Sequence, residues 1–286
     1  MKNLKQVGKN LIQDINTLRL QNNIFVTSDK AFKSASDNGS YPELALRAAI
    51  DPNIFSIFRR HRSYTAILEH VSIKQGEEYL TIIQEEYGYS TKEVLEAISC
   101  LQSIGHPILH KIKGLPDPVS TTALRYLKVA LEIKALRGKY LGHVVEIGCG
   151  YGGQAVILDK IADIDSYTFI DLWQVNMLIK RFIEASPLSC NYSISTLREA
   201  VRPRNSWDFA ISNYAFSELP KGLQEKYLAD IILVSQHGYM TMNSGIGGSH
   251  GEVANMSLAE LQSALHTSSV IEERPLTSSK NYILSW

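Results

Sequence analysis

The spacing of hydrophobic positions changes near residue 140. Before that point apolar residues recur every three or four positions, as in Leu124, Leu127 and Leu131, which predicts amphipathic helices. After it, short apolar runs alternate with helical segments, an order typical of a parallel sheet covered on both faces. The pattern therefore predicts an α/β protein, with a Rossmann-like sheet preceded by an all-helical N-terminal region.

Several helices are predicted in the N-terminal region. Leu4, Val7 and Leu11 begin an apolar stripe that must dock either within the chain or across a homodimer. The later helices are predicted at Pro42 to Ile50, Pro52 to Phe58, Ser72 to Tyr87, Ser90 to Leu101 and Ser120 to Gly138. The Ser90 helix opens with a capping box, Ser90-Thr-Lys-Glu93. The first hundred residues are therefore expected to be helical.

A rigid, turn-rich segment, Gly114-Leu-Pro-Asp-Pro118, separates the two regions. We therefore predict a helical cap at residues 1–115, used for substrate binding or dimerisation, and a second domain at 116–286 that contains the sheet.

Seven strands are predicted in the second domain. They lie at His143–Ile147, Tyr167–Ile170, Asn191–Ile194, Trp207–Ser212, His237–Met242, Val270–Glu273 and Asn281–Ser285. In open α/β sheets, ligands bind at the carboxyl ends of the strands. Polar residues that follow the first, second, fourth and fifth strands are therefore expected to form a site.

A glycine-rich turn follows the first strand. Gly148, Gly150, Gly152 and Gly153 stand within six residues, and a helix is predicted from about the next position. Glycine lets a ligand approach the backbone closely, and the free amides of a helix N-terminus add polar contacts. Asp171 closes the second strand, where a carboxylate can accept hydrogen bonds from both hydroxyls of a ribose. An adenosine-containing cofactor is predicted.

The same glycines fit two cofactors. Gly148, Gly150 and Gly153 match the dinucleotide pattern G-x-G-x-x-G, so an NAD-dependent oxidoreductase is one alternative. S-adenosylmethionine (SAM) is favoured because Glu146 stands two residues before the first glycine and a long segment precedes the strand. No Tyr-x-x-x-Lys pair follows the glycines, which also disfavours the oxidoreductase.

The segment Glu146-Ile-Gly-Cys-Gly-Tyr-Gly-Gly153 resembles the first motif of class I SAM-dependent methyltransferases. Together with Tyr167-Thr-Phe-Ile-Asp-Leu172, Ser212-Asn-Tyr-Ala-Phe-Ser-Glu-Leu219 and Gly238-Tyr-Met-Thr-Met-Asn243, it resembles the sugar O-methyltransferase family. The resemblance covers the chain from about residue 120 onward. It implies that residues 116–286 form a SAM-binding domain with strand order 3-2-1-4-5-7-6 and an antiparallel last strand.

The resemblance also implies contacts to SAM. Glu146 would contact the methionine amine, directly or through water, and Asp171 would bind the ribose. The full set of expected cofactor-binding residues is Glu146, Gly148, Gly150, Tyr151, Gly152, Asp171, Leu172 and Asn213. Two structural alternatives stay open, in which Glu146 is a buried carboxylate that caps nearby amides and Asp171 is a helix N-cap.

Candidates for chemistry follow strands four and five. Methyl transfer from a sulfonium is an in-line displacement, so an enzyme must align the acceptor oxygen and remove its proton. Glu218 is the first candidate base and His250 the second, and Tyr214, Ser217 and Asn243 are candidate substrate contacts. Alternatively, Glu218 begins the next helix and interacts with its dipole.

Other polar groups are less specific. His106, His110, Arg125 and Tyr126 precede the sheet and could face the cleft, although helix surface or core is the favoured interpretation. No cluster of Asp and His indicates a metal site, although loop carboxylates could still hold a magnesium ion that bridges sugar hydroxyls.

Composition excludes several classes of protein. The 29 basic and 29 acidic residues cancel, which argues against a nucleic-acid partner, and the cluster Arg59-Arg-His-Arg62 is expected to be a solvated face. Cys100, Cys149 and Cys190 are widely spaced and odd in number, which favours reduced thiols and a cytoplasmic location. Neither a signal peptide nor an apolar run of the ~20 residues of a membrane span is present.

These features predict a SAM-dependent O-methyltransferase that acts on a hydroxyl of a sugar or glycosylated small molecule. One alternative is a SAM-fold subunit without catalytic activity, which would serve as a scaffold for a partner. The NAD-dependent oxidoreductase is the other, less favoured alternative.

Overall fold

A computed structural model describes residues 40–200, 206–243 and 255–286. Its strands are β1 (Tyr140–Ile147), β2 (Asp163–Ile170), β3 (Asn191–Ser195), β4 (Trp207–Asn213), β5 (Ser235–Met242), β6 (Ser269–Glu272) and β7 (Tyr282–Ser285). All seven predicted strands are therefore confirmed. The predicted stripe that begins at Leu4 lies outside the described residues.

The strands form one sheet in the order β3-β2-β1-β4-β5-β7-β6, and β7 runs antiparallel to both of its neighbours. The pairs among β1 to β5 are parallel. This arrangement confirms the α/β fold class and the expected strand order. Because the order reverses between β1 and β4, a crevice for ligands is expected at their carboxyl ends.

The α-helices are α1 (Ser40–Ile50), α2 (Pro52–Ile57), α3 (Arg62–Thr65), α4 (Ile73–Glu85), α5 (Thr91–Ile98), α6 (Thr121–Arg137), α7 (Gly153–Ile161), α8 (Trp173–Ala185), α9 (Leu197–Ala200), α10 (Lys221–Tyr227) and α11 (Leu258–Ala264). Ser90 and Glu93 form the predicted capping box, and Ser120 caps α6. None of the described helices combines the length and apolar character needed to cross a membrane.

The cap helices and the sheet share one hydrophobic core. Helix α1 packs on α8, and α4 packs on α6. A single cluster of buried residues includes Leu44 and Ile83 from the cap, Leu127 from α6 and Tyr167 from β2. This shared core holds the cap over one edge of the sheet. The boundary between residues 115 and 116 stays a prediction.

The basic cluster at residues 59–62 departs from the expected solvated face, because Arg59 is completely buried. Its guanidinium pairs with Glu69, donates to the Leu101 carbonyl oxygen and lies 4.7 Å from the centroid of the Tyr151 ring. Sequence pattern alone could not show which of the neighbouring arginines turns inward. Arg59 is therefore a structural residue that joins the cap to the glycine-rich turn.

Candidate active site

A cavity of about 580 Å³ lies between the cap and the carboxyl ends of β1, β2, β4 and β5. This volume is within the range of small-molecule sites. The cavity is lined by most of the residues predicted from sequence, namely Glu146, Gly148, Gly150, Asp171, Leu172, Asn213, Tyr214, Glu218 and Asn243. His250 lies outside the described residues. The sheet therefore brings together side chains that are up to about a hundred residues apart in the sequence.

The glycine loop between β1 and α7 needs glycine for two reasons. Gly148 and Gly150 have φ angles of +73° and +59°, which residues with a side chain rarely adopt. A Cβ atom on Gly148 would lie 2.0 Å from the Ala215 Cβ atom, and one on Gly150 would lie 3.0 Å from a Leu68 methyl carbon. The loop is thus packed closely against both the β4 loop and the cap.

Asp171 joins the glycine loop to the end of β2. Its Oδ2 accepts a hydrogen bond from the Gly150 backbone N–H at 3.1 Å, and its Oδ1 accepts one from the Leu172 N–H at 2.7 Å. The N-cap position of α8 falls on Leu172, not on Asp171. Asp171 therefore orders the loop and also lines the cavity.

Glu146 is a buried carboxyl group at the end of β1, with only 2% of its surface exposed. Its Oε2 accepts a hydrogen bond from the Tyr167 hydroxyl at 2.8 Å. Burial raises the pKa of Glu146 to about 8, the Tyr167 hydrogen bond opposes that rise, and the charge of Asp171 adds to it. Without a cationic ligand beside it, this group is therefore protonated at neutral pH.

The raised pKa of Glu146 predicts how the stability of the ligand-free protein depends on pH. The folded protein holds a proton that the unfolded chain, with a pKa of 4.5, releases. The resulting stabilisation is complete below 4.5 and is lost as the pH rises to about 8. Burial raises the pKa values of Tyr167 and Cys149, so these neighbours stay neutral over this range.

We therefore expect Glu146→Gln, which cannot titrate, to melt at an increasingly higher temperature than wild type as the pH rises across this range. Melting curves of both proteins, recorded without ligand at several pH values, measure the difference. A difference in melting temperature that does not change with pH would contradict the raised pKa.

Two predicted cofactor residues, Tyr151 and Gly152, lie behind the loop instead of on the cavity wall. The Tyr151 ring is completely buried, with its centroid 4.7 Å from that of Phe182. Gly152 has a φ angle of +89° and precedes α7, where an added Cβ atom would meet Ile183 and Phe169. Both residues therefore support the loop from behind.

Tyr214 occupies an unusual position after β4. Its φ angle of +66° is uncommon for a residue with a side chain. The backbone N–H donates to the Thr241 carbonyl oxygen at 2.9 Å, and the hydroxyl donates to Glu273. The central carbon of the Arg125 guanidinium lies 5.6 Å from the centroid of the Tyr214 ring. Contacts on three sides therefore hold Tyr214 on the cavity wall.

Glu218 is oriented by the residue that follows β5. Its Oε1 accepts a hydrogen bond from the Asn243 side-chain amide at 3.2 Å. The Asn243 Oδ1 accepts in turn from the Asn281 amide at 3.3 Å. Helix α10 begins at Lys221 with Pro220 as its N-cap, so Glu218 lies before the first turn of that helix. Its carboxylate therefore lies beside the Asn243 amide on the cavity wall.

Ser217 holds two loops together and does not face the cavity. Its hydroxyl donates to the Tyr214 carbonyl oxygen at 2.6 Å and accepts from the Asn243 N–H at 3.0 Å.

Asn213, by contrast, lines the cavity and has an incompletely bonded side-chain amide. Its Oδ1 accepts from Thr241, whereas its buried Nδ2 has no hydrogen-bond partner among the described residues.

The cap and α6 contribute wall residues that sequence reasoning missed or did not favour. His70, in the turn between α3 and α4, lines the cavity, and its pKa is lowered by burial and by the charge of Arg125. Arg125 and Tyr126 also line it, although core or surface was the favoured interpretation. No local motif surrounds His70, so only the packing of the cap on the sheet reveals it.

Comparisons with known proteins give a fold-level likeness. No protein-family model matches the chain, and no curated protein is significantly similar to it in sequence. Similar solved structures include an S-adenosylmethionine-dependent methyltransferase from Clostridium acetobutylicum, with 8% identity, a TM-score of 0.42 and coverage of 56% of this chain and 90% of that one. The N-methyltransferase NodS from Bradyrhizobium japonicum, solved with S-adenosylhomocysteine (SAH), has 12% identity, a TM-score of 0.44 and coverage of 56% and 84%.

A SAM-dependent methyltransferase from Aquifex aeolicus is similar at 18% identity, with a TM-score of 0.39 and coverage of 53% of this chain and 86% of that one. At such identities and TM-scores the likeness establishes neither a cofactor nor an activity. Those conclusions depend on the residues of the cavity itself.

Proposed function

We propose that this protein is a SAM-dependent O-methyltransferase that methylates a hydroxyl of a sugar or glycosylated small molecule. The observation that carries the proposal is the shared cavity at the switch point of the sheet. There a close-packed glycine loop and the Asp171 carboxylate stand opposite a polar wall that contains Glu218. This combination provides a place for an adenosine group beside a group able to accept a proton.

The cavity residues fit SAM. Asp171 would accept hydrogen bonds from the ribose hydroxyls, and Glu146 would face the methionine ammonium, whose charge favours the ionised carboxylate. The Nδ2 of Asn213, for which the described residues provide no acceptor, would gain one. When bound, SAM supplies an electrophilic methyl group on a sulfonium.

The polar wall supports a hydroxyl acceptor. Glu218 would take the hydroxyl proton, and the Asn243 amide holds that carboxylate in place by donating to Oε1. Thr277, Ser278 and Asn281 line the same side of the cavity. Hydroxyl and amide groups of this kind match the donors and acceptors of a sugar.

Ligand-induced stabilisation tests the cofactor. We expect SAM and SAH to raise the melting temperature, and NAD to leave it unchanged. A rise in melting temperature with NAD alone would favour an oxidoreductase.

Methyl transfer is tested separately. The protein is incubated with labelled SAM and a panel of nucleotide sugars and glycosides, and the products are identified by mass spectrometry. Binding of SAH without transfer to any acceptor would favour the scaffold alternative.

The ribose role of Asp171 predicts a loss of affinity. We expect Asp171→Ala to weaken SAH binding by about 1.5–3 kcal/mol, which is the contribution of hydrogen bonds to a charged group. The substitution removes the carboxylate that would accept from the ribose hydroxyls and that accepts from the Gly150 N–H. Calorimetry measures the affinity, and circular dichroism checks the fold.

Asp163→Ala is a matched control for this substitution. Asp163 lies at the opposite end of β2 in an exposed ion pair with Lys139. Removing its carboxylate should leave SAH affinity unchanged. If Asp171→Ala also binds SAH as wild type does, Asp171 does not bind the ribose.

A further inference from the structure

Arg125 is a buried arginine on the cap side of the cavity, in the first turns of α6. Only 7% of its surface is exposed. Its guanidinium donates one hydrogen bond, at 3.3 Å, to the Leu68 carbonyl oxygen, and its central carbon lies 5.5 Å and 5.6 Å from the ring centroids of Tyr126 and Tyr214. Among the described residues it forms no ion pair. A guanidinium has five N–H donors, so the described residues leave most of its donor capacity unused.

Arg59, another buried arginine near the cavity, shows which partners balance a buried guanidinium charge in this chain. Arg59 pairs with Glu69 and also donates to the Leu101 carbonyl oxygen and to Ser120. Burying a charge without such partners destabilises a protein. Among the described residues Arg125 thus lacks the partners expected of a structural arginine, and it borders a cavity.

The distribution of charge on the cavity wall shows where an anionic group of a ligand could bind: at Arg125 and not beside the acidic groups. The sheet side carries the acidic groups Glu146, Asp171 and Glu218. Among the described wall residues, Arg125 is the one Lys or Arg side chain. The flanking rings of Tyr126 and Tyr214 restrict the orientation of the guanidinium, which presents its donors as a fixed fork.

We infer that Arg125 is the anion-binding residue of this cavity and that it takes a carboxylate or phosphate group of a bound ligand. The identity of that ligand rests on the proposed function, which offers two sources of the same chemistry. One is the carboxylate of the methionine part of SAM. The other is the acid group of the acceptor, which would then be a sugar acid or a sugar phosphate.

The Arg125→Met variant tests the inference, because methionine keeps much of the side-chain length without the charge. Calorimetry compares the binding of SAH, of 5′-methylthioadenosine, which lacks the amino-acid part, and of inorganic phosphate. If Arg125 takes the cofactor carboxylate, SAH affinity falls about 10- to 100-fold and 5′-methylthioadenosine affinity is unchanged. If it takes an acid group of the acceptor, the affinities for both adenosine ligands are unchanged and phosphate binding is lost.

Equal binding of all three probes by wild type and Arg125→Met overturns the inference. Arg47→Met is the matched control, because it removes the same charge from an exposed side chain of α1 and should change no affinity. A failure of wild type to bind SAH would contradict the proposed function, and the phosphate measurement would still test Arg125 separately.

Stability gives a second readout that separates ligand binding from a structural role. We expect the ligand-free Arg125→Met protein to melt at or above the wild-type temperature, because the substitution removes a buried charge that has no ion pair within the described part of the chain. Arg59→Met, which would leave Glu69 without its partner, should melt at a lower temperature. A lower melting temperature for Arg125→Met, together with unchanged affinities, would assign Arg125 to the structure alone.

Discussion

The Glu218→Gln variant is expected to transfer methyl groups about 10²–10⁴-fold more slowly than wild type, with SAH affinity and fold unchanged. Glutamine keeps the shape of the side chain and can still accept the hydrogen bond from Asn243. It cannot take a proton from a hydroxyl. The turnover number should therefore fall much more than the affinity for the acceptor. Initial rates with labelled SAM and varied concentrations of the acceptor found in the panel give kcat and the KM for the acceptor.

Three comparisons make this test specific. Glu225→Gln changes an exposed glutamate of α10 in the same way and should keep full activity. His70→Gln tests a rival base, because the lowered pKa of His70 keeps its imidazole neutral and able to accept a proton. His250→Ala tests the candidate outside the described residues, and we expect it to lower turnover less than Glu218→Gln does.

The opposite ranking would move the base to another residue. A nearly active Glu218→Gln beside an inactive His70→Gln would assign the proton transfer to the cap. A nearly active Glu218→Gln beside an inactive His250→Ala would assign it to the loop after β5. In either case Glu218 would act only through its hydrogen bond to Asn243.

The sheet and its ligand-binding edge could be predicted because their signals are local. Short apolar runs such as that from Val144 to Ile147 are buried on both faces of a parallel sheet, so they stand out in the sequence. The positive φ angles of Gly148 and Gly150 strongly favour glycine. The open-sheet rule then places Asp171 and Glu218 at one edge.

The rest of the site depends on tertiary packing, which spacing does not encode. Tyr151 belongs to the glycine motif, yet its ring packs between Phe58 of the cap and Phe182 of α8. Ser217 stands beside Glu218 but holds the loops together through the Asn243 N–H. His70 of the cap and Arg125 of α6 line one cavity only because these elements share a hydrophobic core with the sheet. Neighbours in sequence therefore have separate roles.

The Gly150→Val variant is expected to bind no SAH that calorimetry can detect. A β-branched side chain at a φ angle of +59° is strained, and its Cβ atom would lie 3.0 Å from a Leu68 methyl carbon on the cap. The substitution would also move the N–H that donates to Asp171. The cavity would then lose the wall that the glycine loop forms together with Asp171 and the cap.

Gly88→Val separates this effect from backbone strain alone. Gly88 follows α4 with a φ angle of +70°, and no atom lies within 4 Å of the Cβ atom that would be added there. The control should therefore lose a similar stability, about 1–2 kcal/mol, and keep its SAH affinity. If Gly150→Val is folded and binds SAH as Gly88→Val does, the loop after β1 does not hold the cofactor, and the acids at the ends of β1 and β2 must be structural.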